Sequence, residues 1–218
     1  MPSKAILFDQ DGTLLDSAPG IKKSAQETLA KMGYPVPAYS SLDYFIGPPL
    51  SDCFRLSKVE EKRIPEAMRI YRGIYEKGRK YEAMVYPLVV EGLSELKEKG
   101  FRLFVCTSKK ESLAQDTLAH FGLSEYFEGI FGAASDGKGA RKGEIIRRCL
   151  ASIKGEKNAL MIGDTPLDAQ GAKENKIPSA IVNFGYGDPK KIQEEKPVAI
   201  IGSFLEIPSV FDAIYPEE

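Results

Sequence analysis

Five short runs along the chain are almost wholly apolar: KAILF at 4–8, FRLFVC at 101–106, NALMIG at 158–163, SAIVNF at 179–184 and VAIIG at 198–202. A strand wetted on one face alternates apolar and polar residues, so unbroken runs of this kind predict strands buried on both faces. Between several of them, apolar residues recur at three- and four-residue spacing over Val90–Lys99, Glu111–Phe121 and Gly143–Ile153, which predicts helices with one apolar side. Strand and helix in alternation predict an α/β fold, a doubly wound parallel sheet with helices on both faces.

The rhythm breaks between residues 18 and 83, where the pattern is helical over Ile21–Met32, Leu50–Leu56 and Glu60–Lys77 and no buried strand stands out. Ala18-Pro19-Gly20 on one side and Tyr86-Pro87 on the other are turn punctuation. The expected organisation is a core made of residues 1–17 and 84–218, with a helical domain, 18–83, inserted after the first strand. A chain of 218 residues has room for both.

Charge narrows the partners. Thirty basic and thirty-one acidic residues leave a net charge of −1, without the basic excess that nucleic-acid binding calls for. The four apolar residues before Asp9 are too few for a signal peptide, and no run approaches the length that spans a membrane. Cys53, Cys106 and Cys149 are dispersed and form no CxxC pair, so neither a disulfide framework nor a zinc site is expected, and a cytoplasmic protein is. His120 is the single histidine, which removes Ser-His-Asp catalysis and multi-histidine metal sites; in LAHFG it reads as a helix-end residue.

Ligands of open α/β sheets bind beyond the carboxyl ends of the strands. Following the apolar runs there are Asp9 and Asp11, then Thr107 and Ser108, then Asp164 and Asp168. Alternation along a strand sends Asp9 and Asp11 to one side and Gln10 to the other. Carboxylates gathered at one place repel unless a cation joins them, and an all-oxygen set suits a hard ion, so a Mg²⁺ site is expected. Local structure offers competing roles: Ser108 with Glu111 has the spacing of a capping box, as does Thr165 with Asp168, where Pro166 is placed to open a helix. Capping and phosphate binding are compatible, because a helix amino terminus attracts anions.

With Asp9-Gln10-Asp11-Gly12-Thr13 as DxDGT, Thr107 ending a hydrophobic run and Gly163-Asp164-Thr165-Pro166-Leu167-Asp168 as a late acidic cluster, the sequence resembles the haloacid dehalogenase-like hydrolases. Lys142, in ARKGEII, best matches that family's motif lysine at a helix start, although a solvated basic loop containing Lys138, Arg141 and Lys142 is the alternative. FDQDGTLLDS, the Tyr86-Pro87 step, LKEKG and the late Gly185-Tyr186-Gly187 are similar to the phosphoglycolate phosphatase and β-phosphoglucomutase branch.

The resemblance implies a Rossmann-like core with a helical cap and a set of roles. Asp9 is implied as nucleophile, Asp11 as general acid and base, and Lys142, Thr107, Ser108 and Gly12 as phosphate-binding residues. Asp9, Asp11 through its backbone carbonyl, and Asp164 are implied as Mg²⁺ ligands, with Asp168 orienting metal-bound water. The implied activity is a phosphatase of small phosphorylated metabolites, such as phosphoglycolate, sugar phosphates or nucleotides, in a monomer or homodimer. A phosphomutase or a non-catalytic phosphoester-binding relative are the alternatives. Dehalogenase and phosphonatase chemistry fit less well, since Asp11 is present. Gly47-Pro48-Pro49 resembles a specificity loop of the cap, whereas Arg55 reads as an exposed arginine.

Overall fold

A computed structural model of the protein describes residues 3–134, 139–154 and 157–216. In chain order its elements are β1 (Ser3–Phe8), β2 (Leu15–Asp16), α1 (Ala18–Lys31), α2 (Leu50–Leu56), α3 (Ile64–Glu76), β3 (Met84–Val85), α4 (Val89–Glu98) and β4 (Arg102–Lys110). There follow α5 (Glu111–His120), β5 (Gly129–Ala133), α6 (Lys142–Ser152), β6 (Lys157–Gly163), α7 (Pro166–Glu174), β7 (Ser179–Val182), α8 (Pro189–Glu195), β8 (Ala199–Ile201) and α9 (Ile207–Ile214). The chain divides into two compact units, residues 1–15 with 85–218, and residues 16–84. Among the described residues no helix is long and apolar enough to cross a membrane.

The larger unit is an α/β fold around a six-stranded parallel sheet in the order β5-β4-β1-β6-β7-β8. Chain progress runs outward from β1 through β4 to β5, then returns to the other side of β1 at β6. The direction of winding therefore reverses between β1 and β6, and a crevice at such a reversal is where open α/β sheets bind ligands. The period-two geometry of β1 explains why its apolar run must be continuous. Ile6 and Phe8 enter a core with Val89, Leu93 and Leu96 of α4 and Ile207 and Phe211 of α9. Ala5 and Leu7 face the opposite side, against Ile145, Ile146 and Cys149 of α6 and Ala172 of α7.

Two strands depart from the sequence reading. β5, with glycines at 129 and 132 and partly exposed residues at 129–131, has no apolar run to announce it. VAIIG reads as buried on both faces, yet Ile200 is 48% exposed because β8 lies at the edge of the sheet. β4 runs four residues past Cys106, with a register irregularity between Cys106 and Lys110.

In the smaller unit α1, α2 and α3 enclose an aromatic core in which Phe45 and Tyr71 each meet Phe54 edge-on and Tyr71 stacks on Tyr75. The helix expected from Glu60 instead begins at Ile64, after a 3₁₀ turn at Glu61–Arg63, with Pro65 in its first turn where no backbone donor is needed. Arg55 is exposed and already paired with Asp52 and Glu61.

Phe8 is fully buried, stacked on Phe204 and edge-on to Phe127. Replacing it with alanine is expected to cost about 3–5 kcal/mol, read as a lower urea midpoint at unchanged slope.

Candidate active site

The end of β1 brings Asp9 to the crevice, and its N–H still belongs to the sheet, donating to the Ile162 carbonyl at 2.9 Å. Asp9 is thereby held beside the end of β6, where Gly163 leads into Asp164. Oxygens of Asp9, Asp164 and Asp168 lie within 4.8 Å of one another. These three acids, separated by up to 159 positions in sequence, converge because β1 and β6 are hydrogen-bonded neighbours.

Lys142 sits among them as the first residue of α6. Its Nζ is 2.9 Å from Asp9 Oδ1, 2.8 Å from Asp168 Oδ1 and donates to the Cys106 carbonyl at 3.0 Å. Two carboxylates and one carbonyl thus surround one ammonium. The contact with Asp168 is an ion pair rather than an aligned hydrogen bond, since that oxygen has no hydrogen-bond partner of good geometry. Burial by itself pushes the lysine's pKa down, but Asp168 and Asp9 outweigh it and hold the group above its ordinary value, fully charged.

Carboxylates outnumber the ammonium. Asp9 is raised from 3.8 to about 6, first by burial and then by Asp168, with Lys142 acting in the opposite direction. Asp164 is raised well above the usual range by burial, followed by Asp168 and Asp9. A site that resists the ionisation of its own acids, and offers only oxygen, fits a hard divalent cation such as Mg²⁺.

The supports of Asp164 were not assigned roles by sequence reasoning. Thr13 donates its hydroxyl to Asp164 Oδ1 at 3.2 Å, and the Tyr186 N–H donates to Oδ2 at 2.9 Å. Thr13 stands in DxDGT and Tyr186 in the late GYG stretch, so both lay within recognised signals. Gly12 adopts φ +87, and a Cβ there would overlap Asp164 Oδ2; a Cβ at Gly185 would overlap the Asp164 side chain from the other side. Glycine is needed at both because the backbone passes against the carboxylate.

Asp168 takes the capping role weighed for it and adds a partner the sequence did not single out. Its Oδ2 accepts from the N–H groups of Asp164 and Thr165 and from the Thr165 hydroxyl, closing a capping box at the start of α7. Its Oδ1 faces Lys142. Asp168 thus stands both in the cap of α7 and in the three-carboxylate cluster with Asp9 and Asp164.

Asp11 stands outside the three-carboxylate cluster. Its Oδ1 pairs with Lys109 Nζ at 2.8 Å, a partner the sequence did not single out. Thr107 is buried and its hydroxyl accepts the Lys109 N–H at 3.2 Å, while Ser108 is exposed. Ser108 is not the cap of the next helix: Lys110 occupies that position, so the Ser108–Glu111 spacing goes unused. Lys138 lies outside the described residues, and Arg141 pairs with Glu174 at the surface. His120 ends α5 edge-on to Phe121, and the three cysteines are buried free thiols.

The model of the haloacid dehalogenase-like hydrolase family matches residues 6–182. The chain belongs to that family. A 5'-nucleotidase of Pseudomonas aeruginosa is 34% identical over 95% of both chains, and a phosphoglycolate phosphatase of Caulobacter vibrioides is 30% identical over 95% of this chain and 87% of that one. The tyrosine-protein kinase PtkA of Mycobacterium tuberculosis is 34% identical over 84% of this chain, which spans 62% of PtkA. The crystal structure of a predicted phosphatase from Clostridium acetobutylicum superposes with a TM-score of 0.86 at 36% identity, covering 98% of this chain and 99% of that one. Within the family this chain is a phosphoric monoester hydrolase, similar to the phosphoglycolate phosphatase branch.

Two expectations follow from the site. Because native Asp9 holds its proton up to about pH 6, against 3.8 ordinarily, the metal-free protein loses stability as pH rises through that window. Asp9→Asn removes this loss: thermal melts are expected to coincide near pH 4 and to favour the variant by roughly 1–3 kcal/mol at pH 7. Gln10 is fully buried and neither amide atom has a hydrogen-bond partner, so Gln10→Leu is expected to keep most activity and to raise the melting temperature. An activity loss as large as that of Asp9→Asn would show that residue 10 faces the chemistry.

Proposed function

We propose that the chain is a Mg²⁺-dependent phosphatase of small phosphate monoesters that works through an aspartyl-phosphate on Asp9. The observation that carries this reading is the meeting of Asp9, Asp164 and the fully charged Lys142 at the reversal of winding between β1 and β6. A carboxylate oxygen of Asp9 attacks phosphorus while the bond from phosphorus to the ester oxygen breaks, dividing one difficult displacement into two easier ones. Asp11 gives a proton to the departing oxygen. It then takes one from the water that attacks the aspartyl-phosphate, releasing phosphate and restoring Asp9; acid–base help of this kind is worth about 10²–10⁴ in rate.

Lys142, the Thr107 hydroxyl, Ser108 and the backbone around Gly12 bind the transferring oxygens, where charge is spread during transfer. Asp9 and Asp164, joined by the Asp11 backbone carbonyl, would hold Mg²⁺, and Asp168 keeps Lys142 in place. When bound, the ion supplies positive charge that relieves repulsion between an anionic nucleophile and an anionic phosphate.

The names of the relatives support a substrate of phosphoglycolate, sugar-phosphate or nucleotide size. Cytoplasmic residence belongs to the same proposal and is supported by three buried thiols that are free. A second reading, phosphoryl transfer to protein tyrosine, has the likeness to PtkA in its favour, over 62% of that protein's length.

A phosphate-release screen over many monoesters tests the proposal. Release is expected with Mg²⁺, none with chelator, and a loss of at least about a hundredfold in Asp9→Asn. Turnover that survives chelation removes the metal, and turnover that survives Asp9→Asn removes the nucleophile. An isomeric phosphate without free phosphate marks a mutase, and phosphotyrosine formed from ATP marks the kinase reading.

A further inference from the structure

Lys109 is a charged group at the crevice to which the mechanism above gives no task. Its side chain is 8% exposed, and its Nζ lies 2.8 Å from Oδ1 of Asp11. Ordering and dehydrating a flexible ammonium is costly, and a close anion must offset that cost. Here the anion is the carboxyl that exchanges protons with the reacting oxygens. Lys109 is also anchored at its root, because its N–H donates to the Thr107 hydroxyl at 3.2 Å.

Asp11 needs such an anchor. β1 ends at Phe8, so Asp11 is carried by the turn that follows, ahead of Gly12 at φ +87. A proton carrier has to come within about 2.6–3.2 Å of its target atom, and the turn that carries Asp11 is held by an isolated bridge to Leu15 rather than by a strand ladder. Lys109 joins that turn to the end of β4, and so ties the carboxyl to the strand that presents Thr107.

We propose that Lys109 is a positioning residue, which pins Oδ1 of Asp11 and thereby aims this carboxyl at the leaving oxygen. The inference rests on the role given to Asp11 above. It assigns Lys109 no contact with phosphate or metal; its effect passes through Asp11 alone.

Leaving-group dependence isolates that effect. The p-nitrophenolate of p-nitrophenyl phosphate departs without a proton, whereas the phenolate of phenyl phosphate benefits from one. The ratio of kcat/KM for the two esters, measured on one preparation, reports on proton delivery and is insensitive to the fraction of folded protein. Asp11→Asn is expected to lower phenyl phosphate turnover more than p-nitrophenyl phosphate turnover. Lys109→Met should reproduce the bias, lowering the ratio about tenfold, Lys109→Arg should keep most of it, and Lys109→Met should add nothing to the ratio in the Asp11→Asn background.

Equal losses on both esters in Lys109→Met, with the bias present in Asp11→Asn, overturn the positioning role and leave the mechanism standing. Absence of bias in Asp11→Asn overturns the proton-transfer role of Asp11 and this inference with it. Thermal unfolding of the metal-free single and double variants gives a check independent of turnover. Non-additive losses support the Lys109–Asp11 pair, and additive losses overturn it.

Discussion

Three acids crowded into a nearly dry corner of the sheet repel one another, and the placement of everything around them answers that repulsion. One ammonium, Lys142, bridges two of the acids and also donates to the Cys106 carbonyl. The third acid, Asp164, is held by a hydroxyl and a backbone N–H and enclosed by two glycines. Charge is thus incompletely balanced by the protein alone, which is the condition under which a divalent ion binds strongly and a phosphate can be drawn in behind it.

The groups at the crevice divide by what holds them. Asp9 belongs to the β1–β6 ladder, Asp168 to the cap of α7, and Lys142 to the first turn of α6. Each is fixed by an element whose regular hydrogen bonding would exist without the site, so each is placed with little freedom. Asp11 lies past the end of β1, in a turn held by an isolated bridge to Leu15, and its carboxylate pairs with Lys109 of β4. A working constellation needs its members held to within fractions of an ångström by surrounding contacts, and here secondary structure supplies most of them.

Much of this was legible in the sequence because the signals are local. An apolar run that stops at an acid marks both a buried strand and its carboxyl end, which located Asp9 and Asp164; Lys142 was reached through the family resemblance, as the best match to its motif lysine at a helix start. β5 was not legible, since a short edge strand with two glycines lacks the apolar continuity that burial on both faces imposes. Lys109 was missed for a different reason. Its importance comes from the spatial nearness of β4 to the turn after β1, and pairing between neighbouring strands leaves no trace in the spacing of Lys109 from Asp11. The capping role of Asp168 was legible in the Thr165–Asp168 spacing, whereas its contact with Lys142 depends on α6 meeting the start of α7 in space.

The sheet order bears on how this protein is made. β1 precedes the other strands of this sheet in the chain and is one of the innermost in the finished sheet, flanked by β4 on one side and β6 on the other. Residues 16–84 must be synthesised before either flank exists, and the second flank is complete only at Gly163. Until then a sticky apolar ribbon waits without its hydrogen-bonding neighbours, in the state most exposed to wrong association. The helical unit, residues 16–84, has all its residues before either flank is made. Nascent chains halted before β6 should therefore depend on chaperones in a way that the released protein does not.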